Sequence, residues 1–427
     1  MTIWTVKKEA AYRLKLQHPW VYRDELKKAP QLPFDGAPVE LQSESGEVLA
    51  RGYGNLNSKL AFRVLSFGTS SGDPATGPFV VFKLMKAWEH KKSLGFRGSF
   101  RLCFGEGDGL PGLVIDYYRL SESQRVQALA VQILTAGMDS IFRKSPQMLQ
   151  ILIEQAYEKG LTDLPWDRTA IIYRNDVRVR AHEGLRDEEA RFVQTVKNVE
   201  WTEAPVQVNA WDWKETLELH CDLYQGQKTG LFLDQSFNIH SVLKYLETRD
   251  QKGSLKVLDI CCYVGHWSAQ FVNWGQKRNV EVSIDLLDIS ETALQFAARN
   301  AQGASSIKTL KLDALKDWPL EEQMYDVVIC DPPAFVKSSK DLDKGLSAYV
   351  RLNSEALKRV KSGGLFVSCS CSGLVDREAF DKAIQKGFIR SQRSGHLLFR
   401  GGNAWDHTAI PHFPEGQYLK MNVYGVG

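Results

Sequence analysis

Apolar and polar positions alternate along this chain with two different periods, and the change from one to the other divides it into three stretches. Up to about Ser66 the alternation is short and strand-like: Pro38-Val-Glu-Leu-Gln42, a Ser-Glu-Ser-Gly turn at 43–46, then Glu47-Val-Leu-Ala-Arg-Gly-Tyr53 and Leu60-Ala-Phe-Arg-Val-Leu65. This predicts a small β-rich module. A turn-rich link at 68–78 follows, and residues 79–98 read as a basic helix with Phe82, Met85, Trp88 and Leu94 as apolar markers. The second stretch, to about 190, mixes strands at 112–118, 126–133 and 169–174 with one long helix near 136–159.

From near Asn198 strand and helix take turns, the signature of a βαβ sheet. The strand candidates are 256–260, 280–287, 307–312, 325–330 and 365–369, with helices following Gly265, Ser290, Ser347 and Asp376. The fold class expected is therefore α/β: a doubly wound, Rossmann-like sheet that binds its ligand at the carboxyl ends of its strands, preceded by a β-rich and a mixed α+β domain.

With 427 residues there is room for about three domains. A composition of 43% apolar and 25% charged residues excludes a disordered or collagenous chain. No stretch is long and apolar enough to span a bilayer and Met1-Thr-Ile-Trp4 opens no signal peptide, so the cytoplasm is the expected location and no membrane partner is expected. The seven cysteines are odd in number and never spaced Cys-x-x-Cys, which supports neither a disulfide framework nor a metal site and leaves a catalytic thiol open. Net charge is only +3, but residues 1–28 and 81–101 together carry +9, so the rest is acidic. A polyanion held by Lys83, Lys86, Lys91 and Lys92 is one expectation; a solvated helix face is the other.

The polar residues at the strand ends carry the chemistry. Asp259 closes the first strand before the tight turn Ile260-Cys-Cys-Tyr-Val-Gly265, Asp288 ends the second, Asp313 the third, and Asp331 opens Asp331-Pro-Pro-Ala-Phe335 after the fourth. A carboxylate at 288 can take both hydroxyls of a ribose, and one at 313 can accept from an adenine amino group. No Gly-x-Gly-x-x-Gly follows the first strand, so a nucleoside ligand without a pyrophosphate fits better than a dinucleotide. Each Asp alone reads equally as the N-cap of the next helix. In the Asp-Pro-Pro loop two prolines fix the backbone, so Asp331 and Phe335 are presented rigidly, as suits a flipped-out base. The alternative is a structural turn with Phe335 in the core. Cys371 in Ser368-Cys-Ser-Cys-Ser-Gly373 lies just past an apolar strand, where a thiolate can attack an electron-poor ring carbon. Cys369 has the same strand parity, and spacing does not choose between them. Cys261, Cys262 and Cys330 read as small buried hydrophobes.

Taken together, several segments resemble a known family. They are His18-Pro-Trp-Val-Tyr22, Ala50-Arg-Gly52, Gly105-Glu-Gly-Asp-Gly-Leu-Pro-Gly112, Lys228-Thr-Gly-Leu-Phe-Leu-Asp-Gln235, Asp331-Pro-Pro-Ala-Phe-Val-Lys337, Ser370-Cys-Ser-Gly-Leu374 and Pro414-Glu-Gly-Gln-Tyr-Leu-Lys420. The family is the cytosine-C5 methyltransferases of large-subunit ribosomal RNA that join a PUA-like domain to a class I S-adenosylmethionine (SAM) methyltransferase domain. The resemblance implies a PUA-like RNA-binding domain at 1–70, a central α+β domain at 75–190 and the methyltransferase domain at 195–427. It implies SAM as cofactor and large-subunit ribosomal RNA as partner, and leaves a homodimer open. It aligns Cys371 with the nucleophile that attacks C6 of cytosine, and Asp331 with the group that hydrogen-bonds the ring. It places Lys228, Asp234 and Gln235 on the cofactor wall, with Tyr263, Gly265, Asp288, Asp313 and Asp331. Pro332, Pro333, Phe335 and Lys337 are the substrate-side candidates. One departure stands out: the family's Tyr-Thr-Gly-Gly-Phe loop is here Tyr263-Val-Gly-His-Trp267, and the His266 imidazole is expected to point outward.

Two other readings stay open from the residues. An exocyclic-amine methyltransferase on guanine or adenine would use the Asp-Pro-Pro loop without a thiol, and a non-catalytic RNA-binding assembly factor would keep only the fold.

Overall fold

The computed structural model describes residues 1–27, 31–69, 73–249, 253–316, 318 and 323–427. The chain divides into two compact units. The first is residues 1–204, 222–230 and 405–416, and the second is 205–221, 231–404 and 417–427.

In the first unit, β1 (Thr2–Thr5), β2 (Trp20–Val21), β3 (Pro38–Gln42), β4 (Val48–Gly54) and β5 (Phe62–Phe67) form one sheet in the order β1-β3-β4-β5-β2, with α1 (Lys8–Lys15) beside it. Trp4, Val6, Ala10, Leu14, Val39, Leu41, Phe62 and Val64 make its core. The Ala50-Arg-Gly52 step has a steric reason, since a Cβ at Gly52 would sit 2.0 Å from the Arg63 carbonyl oxygen across the ladder. The β-rich expectation covers β3 to β5; β1 and α1 went unread because Lys7-Lys-Glu-Ala-Ala-Tyr-Arg holds too few apolar residues to show a period.

A second sheet contains β6 (Phe100–Phe104), β7 (Leu113–Leu120), β8 (Gln127–Ile133), β9 (Thr169–Tyr173) and β10 (Arg191–Gln194). Of these pairings only β8 with β9 is parallel. The basic helix is α2 (Gly77–Ser93). The single helix expected over 136–159 is two, α3 (Ala136–Lys144) and α4 (Met148–Glu158), broken at Ser145-Pro146 because proline disfavours helical backbone at the residue before it. The turn-rich link falls partly on 70–72, outside the described residues.

The second unit is the doubly wound one. After the adjacent strands β11 (Ala204–Asn209) and β12 (Thr216–Cys221), and α5 (Ser236–Glu247), come β13 (Ser254–Ile260), α6 (His266–Arg278), β14 (Glu281–Asp288), α7 (Glu291–Asn300), β15 (Ser306–Lys311), β16 (Tyr325–Cys330), α8 (Leu342–Leu357), β17 (Val360–Ser370), α9 (Arg377–Ser391), β18 (Gly395–Gly401) and β19 (Lys420–Val426). The sheet runs β15-β14-β13-β16-β17-β19-β18, parallel as far as β17 and antiparallel beyond. Helices α5, α6 and α7 bury Val242, Phe271, Trp274 and Ala297 on one face, and α8 and α9 bury Leu352, Ala356, Phe380 and Ile384 on the other. The strand order reverses between β13 and β16, and such a switch point opens a crevice at the strands' carboxyl ends.

Candidate functional site

The loops at that crevice are shaped by backbone constraint. In Cys261-Cys-Tyr-Val-Gly265 the residues Cys261, Tyr263 and Gly265 all have positive φ, at 62°, 48° and 75°. A Cβ on Gly265 would lie 2.9 Å from the Ala297 Cα of α7, so both conformation and close packing call for glycine there. The Tyr263 amide then donates to Asp288 Oδ2 at 2.9 Å, while Asp288 Oδ1 accepts from the Ser290 amide at 2.9 Å. The cap of α7 is Ser290, whose hydroxyl accepts from the Ala293 amide, so Asp288 is not the N-cap and its half-buried carboxylate keeps acceptor capacity toward the crevice. Asp313, past the end of β15, is half-buried and accepts from the Leu315 amide at 3.0 Å.

Two groups sit differently from expectation. Asp259 is not at the rim: it is fully buried, Ser268 Oγ donates to its Oδ2 at 2.6 Å, and Oδ1 has no partner. Burial, aided by the Asp288 charge, pushes its pKa up to about 7. The His266 imidazole does not point outward. As the first residue of α6 it is 6% exposed, turned inward with Nδ1 unpartnered, and burial pulls its pKa down to about 4, so it is a neutral ring at pH 7.

On the other side of the crevice Asp331 is held in place. Its amide donates to the Ile260 carbonyl at 3.2 Å, and its Oδ2 accepts from Gln235 Nε2 at 2.8 Å and Trp267 Nε1 at 3.3 Å. Gln235 is fixed by Asn238, whose amide donates to Gln235 Oε1 at 2.7 Å. Buried Asp234 accepts a hydrogen bond from the Tyr418 hydroxyl. The structure thus gathers Asp234, Gln235, Tyr263, Gly265, Asp288, Asp313 and Asp331 in the second unit, whereas exposed Lys228 belongs to the first and is not part of this grouping. Of the Asp-Pro-Pro loop, Pro332 is buried, Pro333 and Lys337 are exposed, and Phe335 is half-buried with its ring 4.8 Å from that of Tyr349.

The two candidate thiols separate clearly. Cys369 is fully buried inside β17, opposite Met421 of β19, and burial raises its pKa well above the ordinary thiol value. Cys371 lies one residue past the end of β17, half-buried, with Sγ 3.8 Å from the Pro332 carbonyl oxygen. Its loop is tied by hydroxyls: Ser370 Oγ donates to Tyr349 Oη at 2.9 Å, and Tyr349 Oη and Ser372 Oγ share a hydrogen bond at 3.0 Å. Asn238, Trp267 and Lys420 also build this region, through Gln235, Asp331 and the Ser372 carbonyl; Asn238 has no signal in the sequence, while Trp267 and Lys420 lie in the segments 263–267 and 414–420. Among the described residues no group of three or more His, Cys, Asp or Glu is placed to hold a metal, and no helix is long and apolar enough to cross a membrane.

The basic stretch of α2 is not one surface of free cations. Lys91 is not a surface cation: it is buried and paired with Asp108 at 2.8 Å. Lys83 is half-buried with its ammonium over the Phe79 ring, Lys86 is exposed, and Lys92 is half-buried.

A switch-point crevice rimmed by Asp288 and Asp313, with loops in place of a pyrophosphate-binding glycine run, defines a class I methyltransferase fold. Residues 251–408 match the model of a methyltransferase domain, and residues 5–67 match a PUA-like domain. Over its whole length the chain superposes on a candidate SAM-dependent methyltransferase from Streptococcus mutans, with a TM-score of 0.73 at 16% identity and all of both chains covered. A methyltransferase crystallised with S-adenosylhomocysteine gives 0.74 at 15% identity, again with both chains fully covered. The ribosomal RNA large subunit methyltransferase I of Aeromonas hydrophila is 30% identical over 95% of this chain and 94% of its own. That of Photobacterium profundum is 28% identical over 95% of each. The chain belongs to the ribosomal RNA large subunit methyltransferase I family.

Proposed function

We propose that the chain methylates C5 of a cytosine in large-subunit ribosomal RNA, with SAM as methyl donor and Cys371 as covalent nucleophile. The observation that carries this reading is the contrast between the two thiols: Cys371 is half-exposed beside the Asp331-Pro332 loop, while Cys369 is sealed in the core. The names of the relatives support the RNA substrate.

The residues present fit the cofactor. Asp288 presents acceptor oxygens for vicinal hydroxyls, Asp313 presents one for an amino group, and the strained 261–265 turn brings backbone close without a pyrophosphate cradle. Tyr263 and Gly265 shape that wall, and Asp234 and Gln235 close it. When bound, SAM supplies an electrophilic methyl group to the target carbon.

In the reaction, the Cys371 thiolate forms a bond to C6 and pushes electron density onto C5. Asp331, aimed by Gln235 and Trp267, hydrogen-bonds the ring and so fixes its face toward Cys371. Pro332, Pro333, Phe335 and Lys337 form the substrate side, with the half-buried Phe335 ring as a stacking surface. After methylation the C5 proton leaves to a base, the C6–S bond breaks and the thiolate returns. The PUA-like module at 1–70 and the α+β domain at 75–190 hold flanking RNA in this reading, and the methyltransferase domain is 195–427.

The test is nucleoside mass spectrometry on unmodified large-subunit ribosomal RNA incubated with SAM and wild type, Cys371→Ala or Cys369→Ala. 5-Methylcytidine is expected from wild type and Cys369→Ala and not from Cys371→Ala. Methylation of an exocyclic amine, or turnover by Cys371→Ala, refutes the covalent mechanism.

A further inference from the structure

Among the described residues of the second unit, Lys420 is the buried lysine. It opens β19 directly opposite Ser370 of β17, one residue before Cys371, and is 4% exposed. Its Nζ donates to the carbonyl oxygens of Ser372 at 2.8 Å, Val375 at 2.7 Å and Tyr418 at 2.8 Å. Those three bonds use every N–H it has. Two of the acceptors belong to the loop that carries Cys371. Among the described residues no carboxylate forms an ion pair with it. A buried cation without an ion-pair partner is costly, and here its three carbonyl acceptors offset part of that cost.

We propose that Lys420 is the positioning residue of the methyl-transfer site: it fixes the 371–375 loop through the Ser372 and Val375 carbonyls, and its ammonium is the counter-ion of the Cys371 thiolate. This rests on the covalent reading given above. Because its protons are all committed to carbonyls, Lys420 acts on sulfur through charge rather than as a proton donor. The other groups near the pair are Asp331, next to the Pro332 carbonyl that meets Cys371 Sγ, Asp376 and Arg377 at the head of α9, Tyr349 of α8 and Cys369 of β17. Asp376 and Arg377 are of opposite sign, so neither sets the local potential alone. Burial brings the Lys420 pKa down to about 8, with the sulfur foremost among the groups that oppose the fall. A lysine beside a thiol stabilises its ionised form, which is the attacking form.

The experiment is alkylation of full-length protein by iodoacetamide across pH 5 to 10, with Cys371 modification followed peptide by peptide in the mass spectrometer. Wild type, Lys420→Gln and Lys420→Arg are compared. Gln keeps donors for the loop and loses the charge; Arg keeps the charge. The apparent pKa of Cys371 is expected to rise by about one unit or more in Lys420→Gln, a tenfold loss of thiolate at pH 7, and to stay near wild type in Lys420→Arg. The reaction rate at the high-pH limit stays within about twofold throughout. An unmoved pKa in Lys420→Gln overturns the proposal, and so does a changed limiting rate without a pKa change, which marks a purely structural lysine. Methylation assays on the same proteins are expected to show at least a tenfold fall in kcat at pH 7 for Lys420→Gln, recovering as pH rises. A Cys371→Ser enzyme that still makes 5-methylcytidine overturns the covalent reading on which the catalytic use of Lys420 depends, while the titration decides the pairing separately.

Discussion

Asp259 and His266, one at the end of β13 and the other at the start of α6, oppose each other in the pH dependence of stability. Asp259 binds its proton in the folded state up to about pH 7, against 3.8 for an unperturbed carboxyl. Its raised pKa gives stability that is fully present below pH 3.8 and is lost as pH climbs to about 7. Each pH unit within that window removes about 1.4 kcal/mol, so the whole effect is about 4 kcal/mol. His266 has the reverse sign, because its pKa falls from 6.5 to about 4 and the unfolded chain holds the extra proton between those values. Stability therefore rises by about 1.4 kcal/mol per pH unit over that interval, about 3 kcal/mol in all. In wild type the two slopes cancel between about pH 4.5 and 6.5. Asp259→Asn keeps an acceptor for Ser268 Oγ and removes the titration; relative to wild type it gains about 1.4 kcal/mol per pH unit as pH rises through this range. His266→Gln loses ground at the same rate. Urea denaturation at fixed ionic strength, followed by tryptophan fluorescence and circular dichroism at half-unit pH steps, yields both differences. A difference between variant and wild type that stays constant with pH refutes the assignment of a protonated Asp259 and a neutral His266.

Two further outcomes concern the fold. Replacing Lys91 with Met strands the buried Asp108 carboxylate and is expected to cost about 3–5 kcal/mol in chemical denaturation, whereas Lys83→Ala stays within about 0.5 kcal/mol. Gly265→Ala combines positive φ with a contact of 2.9 Å to Ala297 and is expected to lower stability by at least about 1–2 kcal/mol and weaken cofactor binding by calorimetry; unchanged affinity would show that the loop yields freely.

Of the parallel strands, β13, β16 and the later half of β17 were legible because they are buried on both faces and read as apolar runs, whereas the edge strand β15 is largely exposed and shows only alternation. The helices α6, α7 and α9 announce themselves by Gly265, Ser290 and Asp376, but α8 begins at Leu342, ahead of the expected Ser347, which lies inside it. β18 and β19 were not legible. Gly395-His-Leu-Leu-Phe-Arg-Gly401 carries no clean period, for its residues are half-buried or exposed at the sheet's edge. The candidate site was legible only as strand-end carboxylates and two cysteines, and spacing gives a face and not a depth, as buried Asp259 shows. Residues 369 and 371 share parity, and only the end of the β17 ladder at Ser370 separates a core thiol from an accessible one. Lys91 was misread for a similar reason: its partner Asp108 sits beyond β6, and no local pattern reveals a tertiary counter-charge. His266 was expected to point outward because sequence cannot show that the first residue of α6 is buried.

The place of β19 bears on the order in which the molecule is made. It lies between β17 and β18, so β18 has no partner and β17 keeps an open edge until the segment beginning at Lys420 has left the ribosome. The same segment brings the ammonium that ties down the Cys371 loop. During synthesis the sheet is therefore unfinished and the Cys371 loop unfastened while everything before β19 is already available to fold. Maturation of the thiol site is in this way coupled to completion of the sheet, and a nascent chain halted before β19 would expose an unpaired strand edge beside a loosely held cysteine.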